Sequence, residues 1–481
     1  MSGGRVEMSH LELLTRTPGR IHFMGVAGAG MISLAELLLR SGREVTGCDA
    51  QADPAARALA SFGGVVFQGH DPNHVEDAIA LIVTPAVPSD HPEILRAREL
   101  GIPVLKRAEL LGAWVAQGRT VAVAGTHGKT TTTAMATEMF AAAGMNPTGF
   151  VGGRVNAWQS NLRFGGSELF VVEADEYDRS FHHLRPHVAV VTNLEADHLD
   201  VYGDLQGVWD AFNVFLDGVP ADGHVAVCGD DHGAAALLPA LGARGCSYGL
   251  NPGSQLRAVQ IRENGKKTVF GVVERGSPQG EITLGVPGVH NVRNALGAAA
   301  AARFMGVEWD RIREGLRRFK GVDRRFQILG AENGITVVDD YAHHPTEIQA
   351  TISAARTRFP GRRIVAVFQP HLYSRTRDFA AEFGRALANA DEVWVSEVYP
   401  AREDPIPGVS GVLVAQATLD AGAEHVFFHP ELSEFPHALL SSLRPGDVCL
   451  TLGAGSIEFL GGDVLTALRG PGWDDDGEMP E

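Results

Sequence analysis

Six consecutive residues carry the densest chemistry in this chain: Gly125-Thr126-His127-Gly128-Lys129-Thr130, with Thr131 directly after them. Glycines let backbone N–H groups approach phosphate oxygens. A lysine in that position reaches β- and γ-phosphates, and a threonine hydroxyl beside it can face Mg²⁺. Val123 stands where the first glycine of the usual loop is found, five residues before the second. An ordinary glycine-rich turn between strand and helix is therefore the plain alternative. The flanks suit either reading. Residues 120–124 form an apolar, β-branched run expected as a buried parallel strand, and the chain from Ala134 onward reads as a helix.

Other polar clusters follow apolar runs in the same way. Residues 168–172 lead into Glu173-Ala174-Asp175-Glu176, and 187–191 into Thr192-Asn193-Leu194-Glu195-Ala196-Asp197-His198. Residues 225–227 lead into Cys228-Gly229-Asp230-Asp231. In open α/β sheets the carboxyl ends of strands hold the ligand. Glu173 and His198 can hold Mg²⁺ near phosphates, although imidazole is an unusual magnesium ligand and a helix-capping or core histidine is the plain reading of His198. Asn291 and Asn294 open an alanine-rich helix, where capping is the default and contact with a base the alternative.

Near the N-terminus, a strand at 20–24 runs into Gly25-Val26-Ala27-Gly28-Ala29-Gly30-Met31 and a helical pattern. A second strand at 44–48 ends at Asp49. This is a βαβ unit with an acidic residue after its second strand, but the spacing is G-x-x-G-x-G, not the dinucleotide G-x-G-x-x-G. Nucleotide binding and simple packing both remain open there. Toward the C-terminus, strands expected at 335–338, 364–368, 392–395 and 448–452 end in polar clusters. These include Asp339-Asp340-Tyr341-Ala342-His343-His344 and Gln369-Pro370-His371, with Arg375 and Arg377 just beyond. Guanidinium and imidazole groups at a strand end can hold a carboxylate.

The elements that must position these residues make three α/β domains. The expected boundaries are 1–117, a Rossmann-like domain; 118–325, a central phosphate-loop domain; and 326–481, a second Rossmann-like domain with an acidic tail from Pro471. Residues 1 to about 18 read as a poorly structured lead, and 247–284 as an antiparallel excursion. With 481 residues, 44% hydrophobic and 21% charged, the chain is globular and too long for one core. A net charge of −17 argues against nucleic acid or an anionic membrane as partner. Cys48, Cys228, Cys246 and Cys449 are far apart and form no C-x-x-C pair, which suits a reduced cytosolic protein and argues against a thiolate metal site. No apolar run has the length of a membrane span, and the first residues lack a signal-peptide core, so the expected location is cytoplasmic. The whole points to a multi-substrate enzyme using ATP.

Taken in order, the loop at 125–132, Glu173-Ala-Asp-Glu, Thr192-Asn-Leu-Glu-Ala-Asp-His198, His290-Asn-Val-Arg-Asn294, Asp339-Asp-Tyr-Ala-His-His-Pro345 and Phe368-Gln-Pro-His371 resemble the Mur ligases. These are ATP-dependent amide ligases of peptidoglycan precursor synthesis. The resemblance spans about residues 20–460 and implies that the substrates are UDP-N-acetylmuramate, L-alanine and ATP, with Mg²⁺ as cofactor. It implies that Gly28, Ala29, Gly30, Met31 and Asp49 serve the UDP-sugar. Gly125, Thr126, His127, Gly128, Lys129, Thr130, Thr131, Asn291, Asn294 and Arg325 would serve ATP. Thr130, Glu173 and His198 would hold magnesium, with Lys129, Glu173 and His198 catalytic. Tyr341, His343 and Arg375 would surround the alanine. Leu372 replaces an arginine and Ser456 an aspartate found in some relatives. Two rivals stand: a recycling ligase that adds a ready-made tripeptide to the same UDP-sugar, and a nucleotide-sensing binding protein without turnover. A monomer or homodimer is expected.

Overall fold

The computed structural model describes residues 17–84, 87–263 and 267–470; the lead before residue 17 and the acidic tail lie outside the described residues. Three sheets carry the chain. The first uses β1 (Arg20–Met24), β2 (Glu44–Asp49), β3 (Val65–Gln68), β4 (Ala78–Val83) and β5 (Val104–Lys106), in the order β3-β2-β1-β4-β5. Every pairing in it is parallel. Strands such as β4, Ala-Ile-Ala-Leu-Ile-Val, are apolar at every position because helices cover both faces. The order reverses at β1, so a crevice opens at its carboxyl end, where Gly25 begins the glycine turn.

The second sheet contains β6 (Arg119–Ala124), β7 (Thr148–Val155), β8 (Ser160–Arg163), β9 (Leu169–Glu173), β10 (Val188–Val191), β11 (His224–Cys228), β12 (Gly245–Gly249), β13 (Leu256–Glu263), β14 (Thr268–Glu274) and β15 (Ser277–Leu284). Its order is β15-β14-β13-β12-β11-β10-β6-β9-β7-β8. β6 pairs in parallel with β10 on one side and β9 on the other, so the second reversal lies at the phosphate loop. The polar stretch after 247 does form strands, but its first pairing is parallel, Tyr248 with Leu256, and not antiparallel. Asp230 accepts N–H bonds from Leu250 and Asn251 and folds the connection back, so the chain re-enters in the same direction.

The third sheet contains β16 (Gln327–Glu332), β17 (Ile335–Asp340), β18 (Ile364–Phe368), β19 (Glu392–Val395), β20 (Val426–Phe428) and β21 (Val448–Leu452). Its order is β16-β17-β21-β18-β19-β20, parallel except for the edge strand β16. The expected α/β architecture on three largely parallel sheets is what the chain adopts. By density of contacts the chain forms two compact units. The second comprises Ile261–Phe270, Thr283–Val292 and Lys320–Glu481, and the first comprises the rest through Phe319. The first sheet and most of the second therefore share one unit, with a common core that runs from Phe23 and Leu34 to Phe170 and Phe212. Among the described residues, no helix is long and apolar enough to cross a membrane.

Candidate active site

Gly125 leaves β6 at φ +141° and Gly128 caps the next helix at φ +79°. That helix is Lys129–Ala142, which starts five residues before the expected Ala134. The four threonines 130–133 are weak helix formers. Burial offsets this, and Thr133 Oγ1 donates to the Lys129 carbonyl at 2.8 Å. A Cβ at position 128 would stand 2.5 Å from Asn294 Oδ1. Asn294 thus packs onto the loop and does not cap its own helix, Val289–Phe304. The loop is propped by the cluster after β10. Asn193 Oδ1 accepts the His127 N–H at 2.7 Å, Thr192 Oγ1 donates to the His127 carbonyl at 2.6 Å, and the Glu195 N–H donates to Thr126 Oγ1 at 2.9 Å. Thr131 is buried in the first helical turn.

Lys129 Nζ donates to the carbonyls of Gly125 at 2.7 Å and Thr126 at 3.1 Å, and pairs with Glu176 Oε2 at 2.8 Å. Burial works against its ammonium, but Glu176, Asp175 and Glu173 outweigh it and hold its pKa above the ordinary lysine value. Burial pushes the Glu176 carboxyl up to about 7 against the pull of Lys129. The Tyr202 hydroxyl donates to the Glu176 carbonyl. Beside this pair, Thr130 Oγ1 donates to Glu173 Oε1 at 3.0 Å, and the Gly152 N–H donates to Glu173 Oε2 at 2.6 Å. A hydroxyl and a carboxylate side by side are the hard oxygen donors that magnesium prefers. His198 stands at φ +51° before the short helix Leu199–Tyr202 and makes no side-chain capping bond. Its Nε2 lies 3.7 Å from Glu176 Oε1 and 3.9 Å from Asp197 Oδ2. The ring therefore faces the acids, and the capping reading falls.

The first glycine turn is built differently. The Cys48 carbonyl accepts the N–H groups of Gly25 at 2.9 Å and Val26 at 3.1 Å, and Asp49 Oδ2 accepts that of Ala27 at 2.9 Å. Asp49 therefore braces the turn. Gly28, Ala29, Gly30 and Met31 line a cavity of about 240 Å³ whose other walls include Arg107, Phe150, Gly152 and Glu173. The first glycine turn thus faces a space whose central-sheet wall includes Glu173, the carboxylate that accepts the Thr130 hydroxyl. Three contributors escaped the sequence reading. Arg107 lies against Gly30, where a Cβ would meet its Nη1 at 3.0 Å, yet no spacing rule links the two positions. Glu176 closes the Glu-Ala-Asp-Glu cluster, and nothing in that pattern gives it a role of its own. β7, which supplies Gly152, is diluted by glycines in Thr-Gly-Phe-Val-Gly-Gly-Arg-Val and shows no period.

The remaining predicted residues belong to the second unit. Asn291 Nδ2 donates to the Pro287 carbonyl at 2.7 Å, a bond back across the first turn and not the acceptor role of a cap. Arg325 pairs with Glu347 at 3.2 Å, and the guanidinium groups of Arg324 and Arg325 stand 5.1 and 5.4 Å from the Tyr341 ring centre. The Tyr341 and His343 rings meet edge-on at 5.1 Å, and His343 meets His371 at 5.9 Å. Arg375 is buried in the helix Tyr373–Asp378. Leu372 precedes that helix at φ +68°, a left-handed conformation rare for leucine. Ser456 Oγ is 3.2 Å from Gln369 Nε2, which ties the last glycine turn to the Gln-Pro-His segment.

Comparison with known proteins agrees with this geometry. Residues 20–119 match the Mur ligase family, catalytic domain; 123–302 match the Mur ligase middle domain; and 324–455 match the Mur ligase, glutamate ligase domain. The chain belongs to the Mur ligase family. Among its curated relatives, the UDP-N-acetylmuramate–L-alanine ligase of Rubrobacter xylanophilus is 46% identical over 93% of this chain and 100% of its own length. That of Oleidesulfovibrio alaskensis is 45% identical over 92% and 97%. The structure of the UDP-N-acetylmuramate-alanine ligase of Thermotoga maritima superposes with a TM-score of 0.79 at 30% identity, covering 94% of this chain and 99% of that one.

Proposed function

We infer that this chain joins L-alanine to UDP-N-acetylmuramate at the expense of ATP, in peptidoglycan precursor synthesis. The observation that carries the reading is the shared cavity: the first glycine turn and Arg107 on one side, Glu173 on the other. A sugar nucleotide held by the turn would present its lactyl carboxylate toward the phosphate loop. That carboxylate attacks the γ-phosphorus of ATP in line, the bond to ADP breaks, and an acyl phosphate forms. The neutral alanine amine then attacks the acyl carbon, loses a proton, and phosphate leaves.

Lys129 is assigned to the β/γ-phosphates, where its charge offsets the repulsion between two anions. Thr130, Glu173 and His198 would hold magnesium, which when bound supplies further charge neutralisation at the phosphates. Asn294, packed on the loop, is assigned to the nucleotide with Asn291 and Arg325. Gly28 to Met31 are assigned to the diphosphate, and Tyr341, His343 and Arg375 to the amino acid. We place the domain boundaries at 117/118 and 325/326 and the protein in the cytoplasm. The alanine-adding relatives, matched over nearly their whole length, favour this reading over a tripeptide-adding one. ADP release measured with UDP-N-acetylmuramate while amino acids are scanned tests it. Turnover that needs both co-substrates and prefers alanine is expected. ADP release without the UDP-sugar, or a preference for tripeptide, would overturn it.

A further inference from the structure

Away from the phosphate loop, the first sheet buries a second set of chemically capable side chains. His22 lies on β1, Cys48 on β2, His74 in the turn Pro72–Val75, and Glu93 in the first turn of the helix Pro92–Glu99. One ligand atom from each lies within 4.8 Å of all the others. His22, Cys48 and Glu93 have no exposure to solvent. Cys48 Sγ is 3.2 Å from Glu93 Oε2, and His74 Nδ1 is 3.0 Å from Glu93 Oε1. The Asp71 N–H donates to Glu93 Oε1 at 2.8 Å, and His70 Nδ1 stands 3.3 Å from the sulfur and 3.7 Å from Glu93 Oε2.

A hydrogen-bonded network around a buried carboxylate accounts for most of this, but not for His22. Its Nδ1 is engaged with Thr46 Oγ1 at 2.8 Å, while its Nε2 is buried with no hydrogen-bond partner. A ring fixed through one nitrogen, with the other left for a ligand, is the arrangement seen in metal-binding histidines.

We propose that His22 Nε2, Cys48 Sγ, His74 Nδ1 and the Glu93 carboxylate bind one divalent cation of the zinc class. Two imidazoles, a thiolate and a carboxylate are ligands that zinc takes in fourfold coordination, and their mutual distances suit it. On binding, the Cys48 S–H bond gives up its proton to solvent and the sulfur takes the metal. Two anions then balance the dication, so the buried site is neutral. Burial keeps His22 unprotonated, with its pKa lowered to about 4, as a ligand requires. The absence of a C-x-x-C pair in the sequence argues against a thiolate site only where two cysteines are needed. A single cysteine with non-cysteine partners from four elements escapes any spacing rule. Because the Cys48 carbonyl holds Gly25 and Val26, the cation would brace the first glycine turn from the strand that carries its ligand.

The test uses the full chain, stripped with chelator and titrated with Co²⁺ under excess Mg²⁺, which keeps cobalt off oxygen sites. A thiolate-to-cobalt charge-transfer band that saturates at one equivalent and is displaced by Zn²⁺ is expected, with Zn²⁺ raising Tm. Cys48→Ser should lose the band and the Tm gain. His22→Ala should weaken cobalt binding about tenfold or more. The unaltered chain settles the matter even if a variant folds poorly. No charge-transfer band in it, or an undiminished band in a folded Cys48→Ser protein, would overturn the proposal.

Discussion

The first unit contains two glycine turns at equivalent places, each where a parallel strand order reverses and a helix begins. They solve the same problem with different parts. The central turn carries its cation within the loop: Lys129 follows Gly128, and two glycines take positive φ. The N-terminal turn has no cation of its own. Three of its N–H groups are already spent on Cys48 and Asp49, and its positive charge comes from Arg107, at the start of a helix beyond β5. An anion site at a helix start needs free N–H groups and a counter-charge, but the counter-charge need not be local in sequence. A motif search finds the first kind of site and undervalues the second.

The largest effect should come from removing the in-loop cation. Lys129→Ala is expected to lower the ligation rate by at least about 10³-fold, with UDP-sugar affinity changed less than about twofold. Rates of ADP release and calorimetric titration with UDP-N-acetylmuramate check both halves. A large loss of sugar-nucleotide affinity would show that the two turns are not separate sites.

Gly128→Ala should come next. It forces alanine into the left-handed region and sets its Cβ against Asn294, so kcat/KM for ATP should fall about 100-fold and stability by about 2 kcal/mol. Adding Asn294→Ala should recover the contact part and leave the backbone part. Urea unfolding of both variants separates the two, and full recovery would mean that φ costs nothing here.

Arg107→Ala should weaken UDP-sugar binding by about 1.5–3 kcal/mol while leaving the KM for ATP near its starting value, the mirror image of Lys129→Ala. A defect in ATP use instead would erase the contrast between the turns. The smallest effect is expected for Gly30→Ala. Position 30 has ordinary φ, and the added carbon meets only the movable end of Arg107. UDP-sugar affinity should drop a few-fold, with a change in stability below about 0.5 kcal/mol by thermal unfolding. A loss as severe as that of Gly128→Ala would mean that the first turn is as rigid as the second.

What the sequence revealed follows the same division. The turn at 125–130 and the placing of Glu173 and His198 were legible because strand, turn and polar side chain are neighbours along the chain. The polar strand ends were legible because a parallel sheet gathers such ends on one edge. The start of the helix at Lys129 was not, because the low propensity of four threonines is overruled by burial, which sequence alone does not report. β7 was hidden by its glycines, and β8, Ser-Asn-Leu-Arg, by being short and polar. Arg107, the tie between Ser456 and Gln369, and the His22 cluster are made by contacts between distant segments, and a single sequence has no signal for them.

The Lys129–Glu176 pair gives the central loop a property of its own. Its cation already faces an internal carboxylate, so a phosphate bound at the loop would compete with Glu176 for Lys129. Glu176 stays in the protein, so losing Lys129 to an incoming anion would favour its protonated form.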